Sequence, residues 1–474
     1  MSKKIILIDP LGWVREFNTG LGYISATLKK AGHEVKVIDL NNNSKRIDER
    51  LLSAKNADII GISIKSFTLK ESISIAKKVK EINSKALLIA GDPHIKIDGI
   101  NFMKNNDIFD IAVVGEGELI MVEIANGSDL SSINGIIYRK QIEGKIQLMI
   151  NPGEGYVKNL DSLPFPDYTS FDSIDNLTSY PLITSRGCPY ACNYCSVPFI
   201  SGRKFRAREP SLVVEEIEYA INTYKVKNFD VIDDDFSVNI KRAKEILKEI
   251  IRKKLNINLS FGNGIRADRI DEELLFLMKE AGCQHIMFGV ESGDEKVFNN
   301  INKGEKLETI INAIQMAKRI GIKSVGGFFI INLPGSTFES DLKSIALAKN
   351  LGLKTANFSI FVPYPGTKFW EILNNDKNII FLRPWQEGFS YGKNICSVFE
   401  TTNYREKDII KMFYISNIRL YNYLAITEGE KGTIKKGFKL VYIILKYDLK
   451  NFPKHINRLF FERINLLERD LRRN

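Results

Sequence analysis

Two long runs of alternating strand-like and helix-like segments dominate the 474-residue chain and restrict it to the α/β class. In the first run, strand patterns at 4–9, 35–39, 57–64, 86–90 and 111–114 alternate with helical spacing such as 20–30 and 69–82. Segments such as DIIGISI and ALLIAG are continuously apolar, which suits strands buried on both faces of a parallel sheet. A doubly wound, Rossmann-like sheet is expected over 1–134. Such sheets bind ligands past the carboxyl ends of their strands, which here fall at 9–12, 63–67, 91–94 and 115–118. Residues 135–180, with short strand pieces and prolines at 152, 164 and 166, read as a linker. A second alternation then places strands at 182–185, 229–233, 258–262, 285–290, 324–331 and 357–362, with helices such as 211–224 and 271–281 between them. Six strand–helix units over 181–390 fit a partial (β/α)6 barrel better than an eightfold one. Residues 391–474 read as a mostly helical, basic C-terminal region.

Composition narrows the setting. Hydrophobic content of 44% with 26% charged residues is globular, and no apolar run approaches the roughly 20 residues needed to span a bilayer. The opening MSKKIILIDP enters a strand with no small-residue cleavage site after it, so a cytoplasmic location is expected. Of the net charge of +11, residues 431–474 carry +8, from twelve Lys/Arg against four Asp/Glu. The nearly balanced remainder argues against a nucleic-acid groove. The basic tail interleaves Phe438, Tyr442, Tyr447, Phe452, Phe460 and Phe461. That pattern suits a helical cap with a solvated face, and it also suits peripheral contact with an anionic membrane surface.

Three of the five cysteines fall within eight residues, in SRG-Cys188-PYA-Cys192-NY-Cys195. In a reducing compartment this spacing reads as a metal or cluster site rather than a disulfide framework. Thiolates suit zinc or iron–sulfur centres. A closed zinc site needs a fourth ligand, and the only histidines are at 33, 94, 285 and 455, none of them nearby in sequence. A 4Fe–4S cluster on three thiolates leaves one iron open to a small molecule. The strand before the triad would set it at a barrel strand's carboxyl end, where barrel active sites lie. Cys283 and Cys396 read as small core residues, although Cys396 comes late enough in the chain to reach a substrate.

Cys-x3-Cys-x2-Cys with an aromatic before the last cysteine resembles the signature of the radical S-adenosylmethionine (SAM) superfamily. The wider string SRGCPYACNYCSVPFISGRKFRAR resembles its cobalamin-binding branch, which includes cobalamin-dependent radical methyltransferases and the anaerobic magnesium-protoporphyrin monomethyl ester cyclase. The resemblance implies that Cys188, Cys192 and Cys195 hold a 4Fe–4S cluster whose open iron chelates SAM. An electron from the cluster then releases a 5′-deoxyadenosyl radical, with Tyr194 near the adenine. It implies an acidic site for the methionine amino group at 233–235, with Asp233 and Asp234 as ligands. It also implies a ribose site at Glu291 and Ser292, and an adenine turn at Asn332-Leu333-Pro334-Gly335. Arg266 and Lys303 are either ligands for a substrate or cofactor carboxylate or plain surface charges.

The first sheet resembles the cobalamin-binding fold through Gly91-Asp92-Pro93-His94 and VVGEGE at 113–118. Ser63, Gly91, His94, Gly115 and Glu116 are thereby implied at the corrinoid, His94 chiefly by shaping its loop. Two departures stand out. Asp9-Pro10-Leu11-Gly12 has no cobalt-ligating histidine, and Asp92 stands where the family more often has a glycine that permits close backbone approach. The resemblance implies methyl transfer to an unactivated carbon of a small-molecule, lipid or peptide substrate, with a flavodoxin or ferredoxin as electron donor. Radical oxidation or cyclisation without methyl transfer is the nearest rival, and a non-catalytic iron–sulfur or zinc protein the more distant one.

Overall fold

A computed structural model describes residues 1–12, 16–42, 46–153, 155–389, 395–420 and 433–455. The first sheet contains β1 (Lys4–Asp9), β2 (Glu34–Asp39), β3 (Ile59–Ser63), β4 (Leu87–Gly91), β5 (Ile111–Val113), β6 (Ile136–Ile142) and β7 (Lys145–Asn151). Its order is β2-β1-β3-β4-β5-β6-β7, parallel through β5 and antiparallel thereafter. The direction of winding reverses between β1 and β3, which opens a crevice at their carboxyl ends. The stretch read as a linker is therefore partly sheet. Its two strands meet through Glu143 and Gly144, both at positive φ (49° and 78°), and β6 pairs with β5 from Val113↔Ile136. A two-residue turn of this kind matches the twist of its strands, and a Glu-Gly pair is a weak sequence signal for it.

The second sheet contains β8 (Ser179–Leu182), β11 (Asn228–Val231), β12 (Asn258–Ile265), β13 (Cys283–Glu291), β14 (Ser324–Ile331) and β15 (Thr355–Ile360), all parallel and in chain order from one edge. This is the expected six-stranded open barrel. Between β8 and β11 a small antiparallel ribbon, β9 (Ser185–Arg186) with β10 (Arg206–Ala207), brackets the cysteine loop. Helices cover the outer face. Ile240–Arg252, for example, buries Ala243, Ile246, Leu247 and Ile250, the i, i+3, i+4, i+7 stripe of an amphipathic helix. Asn239, Asp271 and Thr337 accept from backbone amides in the first turn of the helices they precede, which fixes where those helices begin.

One core is continuous from Ile5 and Leu7 of β1, through Phe17, Tyr168 and Phe171, to Tyr180 and Phe229 of the barrel. A second core fills the other face of the first sheet. Beyond the barrel, β16 (Ile379–Phe381) pairs with β17 (Phe399–Thr401), and helices Glu406–Arg419 and Thr433–Asp448 pack together. Phe460 and Phe461 of the basic tail lie outside the described residues. Among the described residues no helix is long and apolar enough to cross a membrane.

Candidate active site

The cysteine loop hangs from the β9–β10 ribbon, and its shape depends on Gly187. That residue sits at φ 90°, and a Cβ there would lie 2.3 Å from the Lys204 carbonyl oxygen. The Cys188 amide then donates to Gly202 O (3.1 Å), and the Cys195 amide to Cys192 O (3.1 Å). Asn193 ties the loop to the barrel through its amide on Ile301 O (2.9 Å) and its side chain on Asn300 O (2.8 Å). All three thiols are half-buried, and desolvation pushes Cys188 up to about 11 and Cys195 up to about 12. Among the described residues no three His, Cys, Asp or Glu converge as ligands of a single ion. Three cysteines of one loop, none of them tied up in a disulfide, give a donor set that suits an iron–sulfur cluster.

The three aspartates at the end of β11 have different jobs. Asp233 is saturated: it accepts from the Thr184 amide (2.6 Å), the Ser185 hydroxyl (2.6 Å) and the Thr184 hydroxyl, which pins β8 to β11. Asp234 accepts from the Gly187 amide (2.8 Å). Asp235 uses Oδ1 to accept from the Ser237 amide (3.0 Å) and hydroxyl (2.7 Å), while its Oδ2 is buried without a partner. An orphaned carboxylate oxygen suits an ammonium donor. Its charge also helps to raise the Cys188 thiol. The buried oxygen left without a partner is thus on Asp235, whereas the sequence had pointed to Asp233 and Asp234. Asp233 already holds three donors, which leaves it less acceptor capacity than Asp235.

Across the triad, Glu291 ends β13 at φ 64° and receives hydrogen bonds from Tyr194 OH (2.9 Å) and Lys303 Nζ (3.0 Å). Lys303 also donates to Gly289 O, and a Cβ on Gly289 would fall 2.4 Å from both Glu291 Oε1 and Lys303 Nζ. Arg266 donates to Lys303 O (2.7 Å), pairs with Asp268 (2.9 Å) and lies 3.6 Å over the Tyr190 ring. Arg266 and Lys303 are both 7% exposed, so neither is a surface charge, and both already hold partners that order the loops around Cys192. Ser292 is buried and accepts from the amide of Asp294 (3.1 Å), the residue whose side chain caps the next helix on the Val297 amide (3.1 Å). The turn through Pro334 and Gly335 closes with the Ser336 amide on Leu333 O (2.8 Å), and Gly335 takes φ 88°.

Between the two sheets lies a cleft of about 1130 Å³ of empty space, its open mouth included. Leu7, Ile62, Ile89, Val113 and Met121 form an apolar floor, Ser63, Gly91, Gly115 and Glu116 line it as expected, and Arg186, Ile232 and Asp234 supply the barrel side. A Cβ on Gly91 would meet nothing within 4 Å, so that backbone is open to a ligand. A broad apolar floor with bare backbone fits a large flat macrocycle. Glu116 does double duty, because Arg206 grips it bidentately (2.8 Å each) and Arg186 approaches at 3.3 Å and also holds Glu118 (2.7 Å).

His94 is not at the cleft. It is buried, stacks on Trp385 (5.4 Å between centroids, 28°) and hydrogen-bonds Ser66 Oγ (3.1 Å), so it shapes the loop from behind. Sequence reasoning missed Arg186, Arg206, Glu118 and Lys96. Lys96 lines the cleft and donates to Ile200 O (2.8 Å). The available signal was charge complementarity between VVGEGE and the arginines flanking the triad, but no spacing rule links residues that far apart.

The chain matches the family model of the radical SAM superfamily over 182–348 and that of the B12 binding domain over 15–125. It is 31% identical over 330 residues to an uncharacterized methyltransferase of Pyrococcus horikoshii, covering 68% of this chain and 70% of that protein. It is 26% identical over 349 residues to the anaerobic magnesium-protoporphyrin IX monomethyl ester cyclase of Rubrivivax gelatinosus, covering 70% of this chain and 60% of that one. In fold it is similar to the solved radical SAM methyltransferase TsrM of Kitasatospora setae, with a TM-score of 0.73 at 16% identity over 98% of this chain and 100% of that one. The triad at a barrel-strand end, the interdomain cleft beside it and these matches agree: the chain belongs to the radical SAM superfamily, in the branch that carries a B12-binding domain.

Proposed function

We propose that this enzyme is a cobalamin-dependent radical SAM methyltransferase acting on an unactivated carbon of a small molecule. The observation that carries the reading is that both cofactor sites share a wall. Asp234 lines the interdomain cleft and also holds the amide of Gly187, next to Cys188. When bound, a cluster on Cys188, Cys192 and Cys195 supplies the electron that cleaves SAM, and a corrinoid in the cleft supplies a transferable methyl group. The chain's own residues position these groups. Asp235 Oδ2 accepts from the methionine ammonium, Glu291 offers its carboxylate to ribose hydroxyls while Tyr194 and Lys303 hold it still, and Gly91 lets backbone approach the macrocycle. The apolar floor keeps water from the chamber. A small flavin or iron–sulfur protein, flavodoxin or ferredoxin in type, delivers the electron.

The test is anaerobic reconstitution with iron, sulfide and hydroxocobalamin, followed by reductant and SAM, with nucleoside products separated. Both 5′-deoxyadenosine and S-adenosylhomocysteine are expected. Deoxyadenosine alone would favour radical oxidation or cyclisation, and neither product, with zinc bound instead of iron, would remove the enzymatic reading.

A further inference from the structure

Helix Thr433–Asp448 has two opposed apolar faces. The inner one is packed: Leu440, Ile443 and Ile444 are buried, and Tyr447 stacks on Tyr414 (5.0 Å, 11°). On the outer one Phe438 is 74% exposed, Tyr442 61% and Leu445 44%, and Leu449, just past the helix, is 64% exposed. These four positions follow i, i+4, i+7 and i+11, so at 3.6 residues per turn they form one stripe of roughly 16 Å. Single exposed hydrophobes are ordinary, but four large ones in line form a patch.

The charge beside the stripe says what covers it. Lys439, Lys446 and Lys450 run along one side of the apolar positions, and Lys446 Nζ lies 5.7 Å from the Tyr442 ring centre and 5.1 Å from that of Tyr447. Asp448 is the only acidic residue between 433 and 455. It is buried and bound to His455 (2.9 Å) and Asn451 (3.0 Å), so it does not offset the lysines. A second copy of this chain on the same face would oppose lysines to lysines. We propose that the outer face of this helix seats the enzyme on an anionic lipid surface. Phe438, Tyr442, Leu445 and Leu449 enter the headgroup boundary while the lysines meet lipid phosphates.

Co-sedimentation of the full chain with phosphatidylcholine vesicles, with and without phosphatidylglycerol, tests this. The protein pellets with the anionic vesicles only, and less so as salt rises. The Phe438→Ser/Tyr442→Ser/Leu445→Ser variant stays in the supernatant with its thermal midpoint unchanged, because these side chains are exposed. Lys446→Gln and Lys450→Gln each weaken partitioning about fivefold. Wild type that fails to pellet with anionic vesicles, or a triple variant that pellets as well as wild type, overturns the proposal. So does a dimer in sedimentation velocity that the triple variant dissolves, or tight binding to polyglutamate that the triple variant loses. Those two results would assign the face to a second copy or to an acidic protein.

Discussion

The carboxylate of Asp234 accepts a hydrogen bond from the backbone amide of Gly187 at 2.8 Å, one residue before Cys188, while the same side chain forms part of the interdomain cleft wall. The two halves of the active site are therefore joined through one residue. A charge-assisted bond of this kind contributes about 1.5–3 kcal/mol to the loop's geometry. Asp234→Ala should lower iron per chain after reconstitution and broaden the cluster's visible absorption. Asp234→Asn keeps an acceptor oxygen and should recover most of the iron. Equal iron in all three proteins would detach this residue from the cluster.

The Glu291–Lys303 pair is buried on both sides, at 3.0 Å, so removing one member strands a charge. Glu291→Gln or Lys303→Met alone should cost about 3–5 kcal/mol of stability. The double variant should cost less than the sum, because only Glu305, which also meets Lys303 at 3.4 Å, is then left without its lysine. Denaturant unfolding of the four proteins gives the coupling energy, and additive losses would contradict it.

Asp92 occupies φ 85°, ψ 178°, a conformation otherwise almost confined to glycine, with its carboxyl hydrogen-bonded to Ser63 in the cleft wall. Relief of that backbone should yield roughly 1–3 kcal/mol, offset by about 1 kcal/mol for the lost hydrogen bond. Asp92→Gly is expected to raise the thermal midpoint of the cofactor-free protein. Titration followed by the corrin absorption bands should then reveal a changed affinity for hydroxocobalamin. A lower midpoint would mean that the Ser63 contact outweighs the strain.

Asp341 holds the turn at 332–335 to the C-terminal region: it accepts from the Asn332 amide (3.1 Å) and from Tyr404 OH (3.0 Å). Asn332 in turn donates to Ser397 Oγ (3.1 Å) and Phe399 O (3.2 Å). Burial pushes the Asp341 carboxyl up to about 7 from its ordinary 3.8. The folded state thus keeps a proton that the unfolded chain releases. The associated stability is full below about 4 and is lost as pH rises through about 7. Measured against Asp341→Asn, the wild-type thermal midpoint should fall as pH is raised from about 5 to about 7 and stay level above. A difference independent of pH would show that Asp341 ionises normally.

Much of this architecture was legible because it is local. Strand 4–9 and helix 69–82 are written in runs of apolar residues at the right period, and the structure has Lys4–Asp9 and Leu69–Ile82 there. The strand pieces within 136–151 were legible, but their membership of the first sheet was not, because the turn chemistry is weak and the strands reveal their place only when paired to β5. At the site, the Cys188–Cys192–Cys195 spacing and the order of motifs at strand ends sufficed for the chemistry. They did not suffice for the division of labour among Asp233, Asp234 and Asp235. Three adjacent carboxylates look alike in sequence, and only Thr184, Gly187 and Ser237, brought up by other segments, decide which oxygen is left open.

Sequence alone therefore determined the element types, the cysteine triad and the presence of two α/β units, since each depends on spacing within a few turns of chain. Tertiary structure alone decided that the units face each other across one cleft. That choice rests on burial of a shared core and on pairs such as Arg206–Glu116, 90 positions apart, whose attraction has no trace in local pattern.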